Sequence, residues 1–360
     1  MPVRDESHPN QRLTTVDDLI SSNLLDDADR VGLKQVVSKY AISVPTHLAR
    51  LIDSADPEDP IARQIIPHVE ESITTPDENA DPIGDFTHSP VKGLVHRYPD
   101  RVLLKAHSAC AVYCRFCFRR EMVGPGGDTM SDTDLEAGFT YIAAHPEIWE
   151  VILTGGDPLV LSPDRLDKIF ERLNTIEHVK VIRIHTRVPV AEPGRITDEL
   201  IIALGKRRAT VYVAVHCNHP NELSEEARQA CDRFTTSGIP LLGQTVLLKG
   251  VNDDIKTLDV LFRKMVTARI TPYYLHHPDL APGTGHFRVS LEDGQSLIKQ
   301  LRGTLSGIAL PTYMLDIPGG HGKVPVGPTY ADIRVNGTTV VEDVNGKTHV
   351  YPPSQADSEA

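Results

Sequence analysis

The sequence predicts an α/β fold: a partial (β/α)6 barrel with a helical N-terminal extension and a C-terminal β-hairpin segment. The first observation behind this is a regular alternation. Short apolar runs at 102–105, 150–153, 179–185, 210–216, 241–247 and 270–275 read as strands. Amphipathic stretches at 132–144, 163–176, 197–204, 222–236, 254–268 and 291–305 read as helices between and after them. Strands alternating with helices of this length build right-handed βαβ units and a parallel sheet. The second observation is the placement of the polar and glycine-rich clusters. Each lies at or just past the end of a predicted strand, where parallel barrels gather their ligands. The third is that no dinucleotide fingerprint follows the first strand, which disfavours a nucleotide-binding doubly wound sheet. Six units are too few for an eight-fold barrel and suit a partial one.

Taken in order, residues 1–12 are polar and predicted to fray. Residues 13–53 carry apolar side chains at three-to-four spacing, among them Leu19, Leu24, Leu33 and Val36, and predict a small helical unit. Residues 54–92 are rich in Pro, Asp and Glu and read as linking structure, long enough to be functional or to wrap something. The expected division is therefore 1–92 as extension and linker, 93–306 as the barrel core and 307–360 as a distinct C-terminal part. In that last part 310–316 reads as a further extended segment, and Pro318-Gly-Gly-His-Gly-Lys323 as a flexible loop ending in lysine. Asn336-Gly337 and Asn345-Gly346 are hairpin-turn signals between short strands.

Composition narrows the function classes. The formal net charge is −12, from 37 basic and 49 acidic residues, which argues against general nucleic-acid binding. No apolar run approaches a membrane span, and the first residues lack the apolar core of a signal peptide. The five cysteines, an odd number and mostly clustered, do not read as a disulfide framework. The expectation is a cytoplasmic protein with reduced thiols.

The chemistry concentrates between Arg97 and Arg120. Cys110, Cys114 and Cys117 form a C-x3-C-x2-C array with Phe116 before the last cysteine. Arg97, Arg101, Arg115, Arg119 and Arg120 surround it. Three thiolates beside fixed positive charge suggest a metal cluster next to an anionic ligand. A structural zinc wants four protein ligands, whereas three cysteines can hold a [4Fe–4S] cluster and leave one iron open. The spacing favours iron–sulfur. The alternatives are a three-Cys zinc site completed by a histidine, or incidental cysteines.

The array following the first barrel strand resembles that of radical S-adenosylmethionine (SAM) enzymes. Thr154-Gly155-Gly156-Asp157 resembles their glycine-rich motif for the SAM amino group. Four longer stretches resemble the lysine 2,3-aminomutase family. They are Ser89-Pro-Val-Lys-Gly-Leu-Val-His-Arg-Tyr-Pro-Asp-Arg-Val-Leu-Leu, Asn218-His-Pro-Asn-Glu, Gly243-Gln-Thr-Val-Leu-Leu-Lys-Gly-Val-Asn-Asp and Pro318-Gly-Gly-His-Gly-Lys. The resemblance runs from about residue 85 to 326.

It implies a [4Fe–4S] cluster, SAM and pyridoxal 5′-phosphate (PLP), with an amino-acid substrate and a low-potential reductant of flavodoxin or ferredoxin type. Lys323 occupies the position of the family's PLP-linked lysine, and Arg97 and Arg101 match positions near the PLP phosphate. Arg119 matches the arginine for the substrate α-carboxylate. Asn218, His219 and Gln244 match positions on the SAM side, though ordinary barrel-mouth polar residues would read the same way. Asp279 and Asp316 match the carboxylates that grip a lysine ε-ammonium. Glutamate-specific relatives resemble a lysine and an asparagine at those two positions, and this chain has neither.

The activity implied is interconversion of L-lysine and β-lysine. A partner role in elongation factor P modification, or another amino acid, are the alternatives. The chain is about as long as the relatives tied to elongation factor P. No cysteine follows Cys231, so the interfacial zinc site of the long aminomutases is not expected. A homo-oligomer is expected. The residues around His276-His277-Pro278 also depart from the family's usual ones.

Overall fold

The computed structural model describes residues 12–124, 127, 129–205, 207–334 and 338–352. Near the N-terminus β1 (Arg12–Leu13) pairs with β2 (Val44–Pro45), and α1 (Val16–Ser21), α2 (Arg30–Lys39) and α3 (Thr46–Leu51) pack around this ladder. Thr15 and Asp18 make a capping box at the start of α1. Leu19, Ile42, Val44 and Leu48 build a small core that also takes in Val112 and Cys114 of the cysteine loop. The extension therefore forms one wall of the loop that carries the thiols.

The linking segment is ordered. It contains α4 (Ala62–Ile65) and a 3-10 turn at Val69–Ser72, and it buries Gln64, Glu71 and Asp85. Its backbone is tied to distant elements: Arg115 N donates to Gln64 O (2.8 Å), Asn79 N to Leu280 O (2.8 Å) and Gly319 N to Pro82 O (3.2 Å). It wraps the barrel mouth, as its length suggested.

The central sheet has nine strands. These are β3 (Leu94–Tyr98), β4 (Arg101–His107), β5 (Glu150–Gly155), β6 (Val181–Thr186), β7 (Thr210–His216), β8 (Leu241–Val246), β9 (Ile270–His276), β10 (Thr312–Ile317) and β11 (Gly322–Pro325). They lie side by side in chain order. β4 to β10 run parallel, and β3 and β11 close the two edges antiparallel. The six predicted strands are all present. The segment predicted at 310–316 becomes a seventh parallel strand, so the barrel is nearly closed. Side chains bridge the seam: Lys323 N donates to the Tyr98 hydroxyl (2.7 Å), and Arg97 on β3 pairs with Asp316 on β10 (3.1 Å).

The helices are α5 (Asp132–Ala144), α6 (Pro163–Asn174), α7 (Val188–Ala191), α8 (Asp198–Leu204), α9 (Glu225–Thr236), α10 (Ile255–Thr267) and α11 (Leu291–Thr304). Ser131, Ser162, Thr197, Ser224, Asp254 and Ser290 cap the long ones through side-chain oxygens. One boundary differs from the sequence pattern. Helix α9 starts at Glu225 because Ser224 caps it, and Glu222 instead ends a 3-10 turn, fully buried. Leu153, Ile184, Val213, Phe170, Phe234 and Phe262 belong to the main core between sheet and helices.

Beyond the barrel, β12 (Ala331–Ile333), β13 (Thr339–Glu342) and β14 (Thr348–Tyr351) form a small antiparallel sheet. The predicted Asn336-Gly337 turn lies outside the described residues. The Asn345-Gly346 turn is present, with Gly346 at φ 80°. Among the described residues no helix is long and apolar enough to cross a membrane.

Candidate active site

A cavity of about 570 Å³ opens inside the barrel, lined by residues of β3 to β11 and of the cysteine loop. Strand alternation explains which side chains reach it: Glu150, Ile152 and Thr154 of β5, Arg183 and His185 of β6, and Tyr274 and His276 of β9 fall on every second position. A larger surface groove of about 810 Å³ between α3, α8 and α9 shares no lining residue with it. The interior cavity carries the thiols, and we place the chemistry there.

Cys110, Cys114 and Cys117 all line its wall. Burial and the neighbouring thiols push Cys110 well above its usual range and Cys117 up to about 11. Thiols placed this way need cationic ligation to ionise. Sulfurs around a single zinc would lie roughly 4 Å apart. Among the described residues no three Cys, His, Asp or Glu side chains converge on a point one ion could fill. Three thiols on one cavity wall are the donor set that a [4Fe–4S] cluster with one open iron would use.

The glycine turn after β5 abuts the cysteine loop. Gly156 N donates to His107 O (2.7 Å) and Asp157 N to Ala109 O (2.9 Å). Gly155 has φ +106°, and a Cβ on Gly156 would lie 2.3 Å from Ala109 O, so only glycine fits at both positions. Thr154, Gly156 and Asp157 line the cavity. The Asp157 carboxylate is bound within the protein, accepting from Thr186 Oγ1 (2.7 Å) and Arg187 N (2.7 Å).

At the seam, Asp316 accepts from Arg97 (3.1 and 3.3 Å) and from the Lys323 ammonium. The Gly-rich segment is a tight turn between β10 and β11, with Gly319, Gly320 and Gly322 at positive φ, and Lys323 sits in β11 directly across from Asp316. The predicted loop lysine is thus a strand lysine with a defined partner. Arg101 pairs with Asp100 (2.7 Å), its guanidinium 3.8 Å from the Tyr98 ring centre. Arg119 donates to Asp85 (2.8 Å) and faces Thr154 Oγ1 (3.4 Å). Burial raises the Asp85 carboxyl, but Arg119 and Lys105 outweigh it and hold it at about 2. Asp279 lines the cavity without an ion-pair partner among the described residues; desolvation, with help from Asp316, lifts its carboxyl to about 6 against the pull of Lys323.

Gln244 lines the cavity, its amide 3.5 Å from His185 Nε2. Asn218 and His219 do not. Asn218 is fully buried, accepting from Val246 N (2.9 Å), and His219 caps the turn at Pro220–Glu222. Gly155 and Asp316 also lie outside the lining, Asp316 being covered by its two cations.

Two cavity residues, Arg183 and His216, carried no motif in the sequence. Burial takes His216 down to about 3, and its ring stacks on Phe116 with centroids 5.5 Å apart. Its Nε2 has no partner among the described residues. The only sequence signal was position, at the last inward-facing residue of a strand.

The sequence comparisons agree with this geometry. The family model described as "Radical SAM superfamily" matches residues 105–261, and one described as "Lysine-2,3-aminomutase" matches residues 298–359. The L-lysine 2,3-aminomutase of Clostridium subterminale is 38% identical over 340 residues, covering 94% of this chain and 82% of its own length. The chain belongs to the lysine 2,3-aminomutase family of radical SAM enzymes.

The L-lysine 2,3-aminomutase of Escherichia coli is 34% identical over 316 residues, covering 87% of this chain and 92% of its own. The glutamate 2,3-aminomutase of Clostridioides difficile is 36% identical over 322 residues, covering 89% and 76%. As a family member the chain is an isomerase that uses a [4Fe–4S] cluster and SAM.

Proposed function

We propose that this enzyme interconverts L-lysine and β-lysine, using PLP beside the cluster and SAM. The observation that carries the substrate reading is the ion pair between Lys323 and Asp316, next to the unpaired Asp279. The cavity already holds an alkylammonium of the substrate's own chemistry against a buried carboxylate. A substrate ε-ammonium would meet Asp279 directly, and Asp316 once Lys323 turns to the cofactor. Two carboxylates at that end repel a glutamate side chain, so they select by charge as well as by fit.

When bound, the reduced cluster with SAM supplies a hydrogen-abstracting radical, and PLP supplies the electron delocalisation that lets an amino group move between neighbouring carbons. The protein positions and insulates. Lys323 offers the amine that tethers the cofactor, anchored by its backbone bond to Tyr98. Arg101 is braced on Tyr98 for the cofactor phosphate. Arg97 shares its fork with Asp316 and so links phosphate and substrate ends. Arg119, fixed by Asp85, presents its remaining N–H groups to the α-carboxylate. Thr154, Gly155 and Gly156 take the SAM amino group, Asp157 holds that turn through Thr186 and Arg187, and Gln244 lines the same cavity. The barrel walls exclude water from the reacting carbons.

The test is anaerobic reconstitution with iron, sulfide and PLP, then incubation with SAM, dithionite and a panel of lysine, glutamate, arginine and alanine. β-Lysine is the expected product. Its absence, with another β-amino acid formed, would overturn the substrate assignment and leave the family assignment intact.

A further inference from the structure

Beneath Cys114 lies a buried network that the reaction scheme does not use. Arg187 follows β6 and is 5% exposed. Its Nη1 lies 2.8 Å from Cys114 Sγ, and its Nη2 donates to Gln64 Oε1 (2.6 Å) and Glu222 Oε2 (2.8 Å). Glu222 is fully buried, and its other oxygen accepts from Asn218 N (3.0 Å), His219 N (2.9 Å) and Gln64 Nε2 (3.1 Å). Gln64 also accepts from Asn218 Nδ2 (3.0 Å), and its carbonyl takes Arg115 N (2.8 Å) next to Cys114. Phe116 lies 5.5 Å from the guanidinium. Each partner is held by two or more others, so the guanidinium has one place to be.

The three sulfurs are therefore not equivalent. Cys110 and Cys117 face the backbone N–H groups of Asp157 and Arg119. Cys114 faces a full positive charge.

We infer that Arg187 is a positioning residue that sets the reduction potential of the cluster through a charged hydrogen bond to the Cys114 sulfur, with Glu222 and Gln64 fixing its strength. A donor and a positive charge at a ligand sulfur stabilise the added electron and raise the potential. Glu222 partly cancels that charge, so it works in the opposite direction. The electron itself comes from an external low-potential donor of ferredoxin or flavodoxin class. Gln64 belongs to the linking segment, so the segment that wraps the barrel also sets the electronics of its metal site. This inference rests on the cluster alone and is independent of which amino acid is the substrate.

The experiment is an EPR-monitored redox titration of the full-length enzyme reconstituted with iron and sulfide, without SAM, PLP or amino acid. Iron and sulfide content are measured alongside. Arg187→Met is expected to make reduction harder by tenfold or more, about 59 mV for a one-electron couple. Glu222→Gln, which keeps the shape of the side chain, is expected to move the potential the other way. Arg187→Lys should fall between the parent and Arg187→Met.

Opposite shifts in the two charge variants support the inference, because simple loosening of the loop would move both alike. If Arg187→Met fails to load iron, the upward shift of Glu222→Gln and the downward shift of Arg187→Lys carry the same test. Parent potentials in fully loaded variants overturn it. So does a common direction for both.

Discussion

At the scale of single residues, Asp279 and Asp316 have the same chemistry and different states. Asp316 is satisfied by Arg97 and Lys323. Asp279 lines the cavity with no such partner among the described residues, and its desolvation there lifts its carboxyl from 3.8 to about 6. A carboxyl whose pKa is raised on folding lowers stability as pH rises from the unfolded value to the folded one. Here that window is pH 4 to 6, and the cost above it is on the order of 3 kcal/mol. An ammonium bound at Asp279 removes that cost only where the carboxylate is ionised. We therefore expect L-lysine to raise the Tm of the PLP-loaded enzyme more at pH 7 than at pH 5. Asp279→Asn should abolish the difference and raise the ligand-free Tm at pH 7. Thermal unfolding with and without lysine measures both; an equal lysine effect at the two pH values would remove Asp279 from the substrate site. The two aspartates stood out in the sequence as acidic positions of a resembling motif. Their unequal states did not, because those depend on which cations the fold delivers to each.

At the scale of elements, the turn after β5 is the tightest constraint. Gly156 leaves no room between itself and the backbone at Ser108 and Ala109. Gly156→Ala should force the cysteine loop away from β5, costing about 1–3 kcal/mol and lowering iron content on reconstitution. Differential scanning calorimetry and iron assay check the two consequences, and a parent-like Tm with full iron would refute the close-approach argument. The barrel strands and helices were legible because their apolar periods and Ser, Thr or Asp caps are local signals. The antiparallel edge strand β3 was not read as a strand, although its residues were singled out as a motif. Glu222 was read as the first residue of a helix, since nothing local shows that Arg187 and Gln64 will bury it. The glycine-rich segment was read as a loose loop, whereas pairing of β11 with β10 makes it a tight hairpin.

At the scale of the whole molecule, the linking segment supplies the counter-charges for the arginines in and just after the cysteine array. Glu71 is fully buried and accepts from Arg115 (2.6 Å) and Arg120, and Asp85 does the same for Arg119 and Lys105. Burial alone would raise the Glu71 carboxyl; the two arginines overcome that and hold it below its ordinary range. A depressed carboxyl contributes stability above the unfolded value of 4.5, and that contribution disappears as pH falls through the lower folded value. Removing the charge strands two buried guanidinium groups. Glu71→Gln should therefore cost about 3–5 kcal/mol at pH 7, with a smaller difference from the parent in acid. Urea titration at pH 7 and at pH 4 checks the size and the trend.

The sequence by itself determined the barrel class, the cysteine array, the glycine turn and the lysine at the end of its Gly-rich run. Each is written in contiguous residues whose spacing or backbone freedom has a local meaning. Only the tertiary structure decided which charges neutralise which. Arg97 with Asp316, Arg119 with Asp85, Arg115 with Glu71 and Arg187 with Cys114 and Glu222 are all distant in the chain. Such pairs form because a buried charge must find a partner wherever the fold brings one near.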